Sequence, residues 1–347
     1  MEAENRTFSK NVTQAMKGIA ILLMMFHHLF SHSQAFVNQY AVQFAPFSRD
    51  AVNLASEGGA ICVSMFVFLT GYGMMLSLRK RNWRERESYA VHRYLKLAVS
   101  FLIVFVFSIA TSFLRPDHLS MYFQDGKASA VRYILTDALG FAKYAGTPEY
   151  NGNWWYISFA VFLIFLMPLI TTLVQRYGIA VVVLAGLAKS FGIDPARPLT
   201  RFLLALTLGA WLADRRLLDR LEQYLNTFSR RILFLFVSMF LCLSGYAIHL
   251  RFDLNPWANA FVILCLVLFL FTLIDLCGVR LHVLEFCGIY SMNIYLVHSL
   301  IFRRYFTTLV YAPKHFILIE LTLLCLSLAV SIPLSFLQKK VLNKLHL

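Results

Sequence analysis

The chain has 347 residues, 59% of them hydrophobic and only 14% charged, and a mean hydropathy of +0.64. A soluble domain of that size needs far more polar surface to cover its core, so composition excludes one. The net charge of +14 would suggest nucleic acid in a soluble protein, but here the cations fall in short loops beside apolar runs. With no zinc-finger spacing, RNP-like strand or Walker A loop, no nucleic-acid partner is expected.

Ten apolar segments approach the ~20 residues that cross a bilayer: 15–33, 58–78, 95–114, 154–174, 178–192, 202–213, 232–249, 258–277, 286–302 and 316–337. The expected fold is an all-α integral membrane protein of about ten transmembrane helices, a single polytopic domain over 1–347 with no separate soluble domain. The fifth and sixth segments are short, and Lys189 interrupts the fifth, so tilted, broken or re-entrant helices are expected there. Residues 1–14 are polar and lack the layout of a cleavable signal peptide, so the first span is expected to stay as an anchor. Cys62, Cys242, Cys265, Cys277, Cys287 and Cys325 lie in or at the ends of apolar runs without a C-x-x-C, the pattern of buried thiols.

Charge sets the expected orientation. With both termini cytoplasmic, the inner segments together with the inner ends of the spans, Lys17 and Lys96, hold 20 of the 32 Lys and Arg residues. The run Arg79-Lys-Arg-Asn-Trp-Arg84-Glu-Arg86, then Arg215, Arg216 and Arg220, then Arg230 and Arg231, and the tail Lys339, Lys340 and Lys344 lead that count. Arg303 and Arg304 are the exception and fall outside. The outer segment 115–152 contains an amphipathic piece, 130–144, with Val131, Ile134, Leu135, Ala138 and Phe141 at helical spacing. It is expected to lie at the outer interface, as a lid or as a plain connector.

The first span carries the sharpest anomaly, Lys17-Gly-Ile-Ala-Ile-Leu-Leu-Met-Met-Phe-His27-His28. Eleven residues separate Lys17 from His28, so at ~100° per residue they return to one face ~16 Å apart, and His32 continues that stripe. His27 points ~100° away. Ionisable groups inside a membrane are costly and mark a site or a partner; for a lone histidine, a hydrogen bond to a neighbouring helix is an equal alternative. In the second span Ser64, Thr70, Gly71 and Gly73 permit close helix approach, with Tyr72 beside them. Arg93 and Lys96 share a helix face at the start of the third span, where two cations suit a phosphate or flank the membrane. Trp154, Trp155 and Tyr156 open the fourth span as an aromatic belt. Asn293, Tyr295 and His298 place polar groups in the ninth span. Of the intramembrane acids, Asp275 is expected to snorkel to water and Glu320 to pair with Arg303, Arg304 or a histidine.

The order of these motifs resembles the acyltransferase-3 family of membrane-bound acyltransferases, which includes bacterial O-acetyltransferases of envelope glycans. Its carriers are Lys17 to His28, Phe66-Val-Phe-Leu-Thr-Gly-Tyr72, Arg93-x-x-Lys96, Trp155-Tyr156 with Pro168, and Ser291 to His298, which together reach over nearly the whole chain. The resemblance implies that His28 is the catalytic residue, as base or acyl acceptor, and that Lys17, Arg93 and Lys96 serve the acyl donor. Lys96 stands where the family pattern has a second arginine, which keeps charge and loses the planar fork. Thr70, Tyr72, Trp155, Asn293, Tyr295, His298 and Glu320 are candidate supporting residues, with Glu320 or Asn293 orienting the imidazole. No bound cofactor or metal is implied; acetyl-CoA or another acyl-CoA is the donor substrate and its pantetheine arm reaches toward His28. The expected partners are the lipid bilayer, acyl-CoA and a glycan or glycolipid acceptor. A homo-oligomer or a glycan-synthesis complex remains open, and the expected location is the inner, cytoplasmic membrane. The rival reading is a transporter or flippase for a polar or glycolipid substrate, against which stands the lack of paired halves.

Overall fold

The computed structural model describes residues 9–112, 116–191, 197–251 and 255–347. Residues 1–8 of the polar N-terminus, residue 115 at the start of the outer segment and residue 192 at the end of the fifth apolar run lie outside the described residues. Among the described residues there is no β-strand, only an isolated bridge between Gln43 and His315. The helices in chain order are α1 (Lys10–Phe30), α2 (Gln34–Gln39), α3 (Arg49–Gly58), α4 (Ile61–Leu78), α5 (Trp83–Ser112), α6 (Lys127–Ala138), α7 (Ala142–Ala145), α8 (Trp155–Tyr177) and α9 (Ile179–Leu187). They continue with α10 (Arg197–Asp214), α11 (Leu217–Tyr224), α12 (Phe228–Arg251), α13 (Pro256–Leu270), α14 (His282–Ile289), α15 (Ser291–Leu300), α16 (Thr307–Tyr311) and α17 (Phe316–Lys344).

Seven stretches of described helix are long and apolar enough to cross a bilayer: Lys10–Phe30, Arg49–Leu78, Trp83–Ser112, Gly152–Tyr177, Phe228–Arg251, Pro256–Leu276 and Phe316–Lys344. They correspond to seven of the ten apolar runs in the sequence. The other three are short or divided. The run 178–192 holds the nine-residue α9, and 202–213 lies within the 18-residue α10. The run 286–302, read as one continuous span, is broken at Tyr290, where the backbone leaves helical ψ (ψ 4°) between α14 and α15. An apolar run therefore marks buried helix without guaranteeing one that spans.

The chain forms two compact units. The first takes Met1–Lys80, Leu169–Ser291 and Thr308–Leu324. Lipid offers helices no hydrophobic drive to associate, so close van der Waals contact must supply it, and glycine allows the backbones to meet. Two reciprocal pairs do this. Gly18 of α1 faces the Leu284 carbonyl while Gly288 of α14 faces that of Gln14; Gly71 of α4 faces the Leu206 carbonyl while Gly209 of α10 faces that of Phe68. A Cβ at any of the four would overlap the facing backbone. Ser9 caps α1 with its hydroxyl, accepting from the Val12 N–H, and its own N–H donates to Asp275 at 3.1 Å. Asp275, expected to reach for water, is thus tied to the first helix instead.

The second unit takes Arg81–Pro168, Met292–Thr307 and Cys325–Leu347. Its centre is Trp154, 2% exposed, whose Nε1 donates to the Leu296 carbonyl at 3.0 Å and whose ring meets Phe101 edge-on at 5.1 Å. The segment 130–144 departs from the expected interfacial helix. The helix α6 ends at Ala138, and Gly140, with φ +78° and Ile157 pressed against it, turns the chain into α7. Tyr150 donates to the Ser108 carbonyl near the C-terminal end of α5, whereas Leu139 accepts from the Tyr94 hydroxyl and Phe141 packs on the Tyr94 ring at 5.8 Å. Ser108 and Tyr94 are fourteen residues apart on one helix, ~21 Å. The segment therefore dips along α5 toward its N-terminal half.

Its apolar stripe faces outward as well. Val131 and Leu135 are 60% and 57% exposed, while Asp137 is buried and accepts from the Tyr122 hydroxyl (2.5 Å) and the Tyr150 N–H (2.6 Å). An outward face of Val131 and Leu135 is compatible with the interfacial position expected from the spacing, while Asp137 turns inward to polar partners.

Replacing Gly18 or Gly288 with leucine should force α1 and α14 apart and cost about 1–3 kcal/mol or more. Gly73, where a Cβ meets nothing within 4 Å, should accept alanine. Thermal unfolding of the detergent-solubilised variants checks both; a Gly18→Leu variant as stable as the wild type would refute the packing role.

Candidate active site

Helix α1 carries Lys17 and His28 on one continuous run of helix, both half-buried. The helix ends at Phe30, held by Ser31 and His32 N–H groups that both return to the His27 carbonyl. That turn changes the expected stripe: His32 folds back so that its ring lies 4.3 Å from His27 and 5.8 Å from His28, with His27 and His28 5.6 Å apart. Three imidazoles thus cluster at the end of α1. Among the described residues no three His, Cys, Asp or Glu side chains are placed to hold a metal ion.

His27, unassigned by sequence, has a definite position. The chain from α3 to α4 breaks at Gly59 and Ala60, whose N–H groups bond three residues back rather than four. Such a break leaves carbonyl lone pairs to be met by other donors. His27 Nδ1 takes the Ser56 carbonyl at 2.7 Å, His249 Nε2 that of Gly58 at 3.3 Å, and the Tyr246 hydroxyl that of Ala55 at 3.3 Å. A carbonyl only accepts, so His27 carries its proton on Nδ1. Gly59 makes the approach possible, since a Cβ there would crowd the Leu23 carbonyl and His27 Cβ. The sequence signal for this was the Gly58-Gly59 pair.

The remaining candidates of the first unit are Thr70, whose hydroxyl donates to the Phe66 carbonyl within α4 (2.9 Å), and Tyr72, buried and stacked on Phe68. Glu320 is half-buried on α17 and makes no hydrogen bond or ion pair with the described residues.

In the second unit Arg93 is exposed and Lys96 half-buried on α5, and neither is engaged in an ion pair with the described residues. Between them Tyr94 receives the dipping segment. Trp155 is half-buried and stacks on Phe159, and Tyr156 meets the Tyr295 ring at 5.9 Å. The Tyr295 hydroxyl donates to the Asn153 carbonyl at 2.6 Å. His298 is fully buried, with Nδ1 2.8 Å from the Tyr295 carbonyl. Asn293 forms a reciprocal amide pair with Gln338, a residue not singled out by sequence: Nδ2 donates to Gln338 Oε1 at 2.8 Å and Gln338 Nε2 donates to Asn293 Oδ1 at 2.9 Å. Gln338 also donates to the Ser100 carbonyl. The Asn293 amide is therefore committed to joining α15, α17 and α5, not free to orient an imidazole.

The match to known proteins spans this whole arrangement. The acyltransferase-3 family model, an acyltransferase domain, covers residues 14–337. The chain belongs to that family. No curated protein and no solved structure matches it. Family membership together with seven membrane-length helices makes the protein a membrane acyltransferase. The matched region of this acyltransferase includes Lys17, His28, Arg93, Lys96, Asn293 and His298, and extends to α17.

Outside the spanning helices, Glu149 is half-buried, and burial pushes its carboxyl up to about 7. Next to it, Tyr150 is covered by the Arg304 guanidinium, 4.2 Å from the ring centroid, and Arg304 donates to the Tyr150 carbonyl.

Loss of either half of the Asn293–Gln338 pair should cost about 1–3 kcal/mol, because the partner is left buried and unsatisfied. In a double-mutant cycle of Asn293→Ala and Gln338→Ala, unfolding measurements should show the second substitution adding little to the first. If the two effects simply add, the amides do not act as a unit.

Proposed function

We propose that the protein is an O-acyltransferase that moves an acyl group, acetyl in the simplest case, from a cytosolic acyl-CoA to a hydroxyl of a cell-envelope glycan or glycolipid. The observation that carries the reading is the family match over residues 14–337 with its histidine and cation motifs in place on α1 and α5. On this reading both termini are cytoplasmic, and the protein sits in the inner membrane.

The chemistry asks for two kinds of group. The donor brings phosphates, and Arg93 and Lys96 are cations without an ion-pair partner among the described residues, so they have charge to give. The acyl transfer asks for a base near the attacking hydroxyl. A neutral imidazole at His28 takes the hydroxyl proton as the oxygen bonds to the thioester carbon; the C–S bond then breaks and the proton passes to the CoA thiolate. In the alternative order His28 attacks the thioester first and the hydroxyl then displaces it from the acyl-imidazole. Lys17, one helix face below, contributes positive charge on the same helix.

His28→Ala should lower acyl transfer by about 10²–10⁴-fold with unchanged abundance in membranes, the usual worth of a general base. Arg93→Ala should raise KM for acyl-CoA roughly tenfold, about 1.4 kcal/mol, with KM for the acceptor unchanged. Radiolabelled acetyl-CoA incubated with membranes reads both. Full activity in His28→Ala removes that residue from the mechanism, and incorporation into neither glycan nor glycolipid favours a transporter.

A further inference from the structure

Arg303 and Arg304 broke the charge rule in the sequence, and the second of them is built into the second unit. It lies in a π-helical turn, Ile301–Tyr305, stacked on Tyr150. Wide turns of this kind are rare and cluster at functional sites. The facing strand of chain, Glu149-Tyr-Asn-Gly-Asn153, is pinned in place: Asn151 Nδ2 donates to Ser299 Oγ at 2.6 Å, its Oδ1 accepts from the Asn153 N–H at 3.1 Å, and the Tyr295 hydroxyl donates to the Asn153 carbonyl.

Two polar atoms on this pinned strip are shut away from water without a hydrogen bond, Glu149 Oε1 and Asn153 Nδ2. One is an acceptor and the other a donor. A hydroxyl donates one hydrogen bond and accepts others, so it satisfies both kinds of atom, whereas an anion would meet only the amide and a cation only the carboxylate. Between them Gly152 is exposed and opens onto free space, with nothing within 4 Å of where a Cβ would stand. Trp155 and Tyr156, both half-buried, follow directly in the chain with their rings 5.9 Å apart. From these features we infer that Glu149, Asn153 and Arg304 form the subsite that binds the hydroxyl-bearing acceptor. The subsite takes a polyhydroxylated ring: carboxylate and amide hold its hydroxyls, Arg304 a further oxygen, and the aromatic side chains its C–H face. The subsite binds and orients; it performs no step of the transfer.

This assignment rests on the acyl-transfer reading above, and the test separates the two. Full-length protein in nanodiscs is given [14C]acetyl-CoA and, in separate arms, the lipid-linked glycan fraction extracted from the producing cells or soluble methyl glycosides; the arm that accepts label shows whether the hydroxyls come from a glycolipid or a free sugar. Glu149→Met keeps the length and removes the acceptor oxygens, and Asn153→Ala removes the amide donor. Each should raise KM for the acceptor about ten- to a hundred-fold, the worth of a hydrogen bond to a buried polar or charged group, while KM for acetyl-CoA stays within about twofold. Acceptor KM unchanged in both variants, with a wild type that transfers normally, overturns the subsite and leaves the acyltransferase reading standing. An equal loss toward both substrates marks a merely structural strip and overturns it too. A wild type that transfers to neither acceptor overturns the acyl-transfer reading and this subsite with it.

Discussion

The first unit depends on backbone meeting backbone without a side chain between them. Gly18 with Gly288, and Gly71 with Gly209, lock α1 to α14 and α4 to α10 by reciprocal carbonyl contacts. In a bilayer this is the interaction that remains when hydrophobic burial gives no advantage over lipid. Lys17 and His28 are on one of the helices so locked, which fixes the height and rotation of the groups that we propose for the chemistry.

Polar bookkeeping governs what is left. Every carbonyl freed by the break after α3 has a donor aimed at it: His27 at Ser56, His249 at Gly58 and Tyr246 at Ala55. In the second unit the buried Asp137 is answered by Tyr122 and by the Tyr150 N–H, and Asn293 by Gln338. Where hydrocarbon replaces water such groups cannot be left open cheaply. In the 149–153 strip an open acceptor and an open donor fall within five residues of each other, the combination that a ligand hydroxyl can answer.

The two histidines in sequence, His27 and His28, thereby acquire different duties. His27 gives its Nδ1 proton to the Ser56 carbonyl and serves the architecture, while His28 is the one we propose for the chemistry. Their neighbour His32 joins them only because the chain turns back after Phe30. On α5, Tyr94 holds the neighbouring segment through Leu139 and Phe141, while Arg93 and Lys96 on either side make no ion pair with the described residues and are the cations we propose for the donor phosphates.

The sequence by itself determined the membrane class, the all-helical fold and the ordered motifs that carry the family, because hydropathy runs and local spacing are properties of neighbouring residues; which seven of its ten apolar runs are long helices came from the structure. It placed Lys17 and His28 on one helix for the same reason. What it left undecided depends on partners distant in the chain. The break at Tyr290 divides an apolar run that reads as continuous, and Gln338 claims Asn293 from 45 residues away. His27 and Ser56, and Arg304 and Tyr150, meet only through the tertiary structure. The outward stripe of α6 shows most plainly why. Spacing identified a face of Val131 and Leu135, but which side it turns to depends on the solvent around the helix and on where Asp137 finds its hydrogen bonds, and both were decided by the fold.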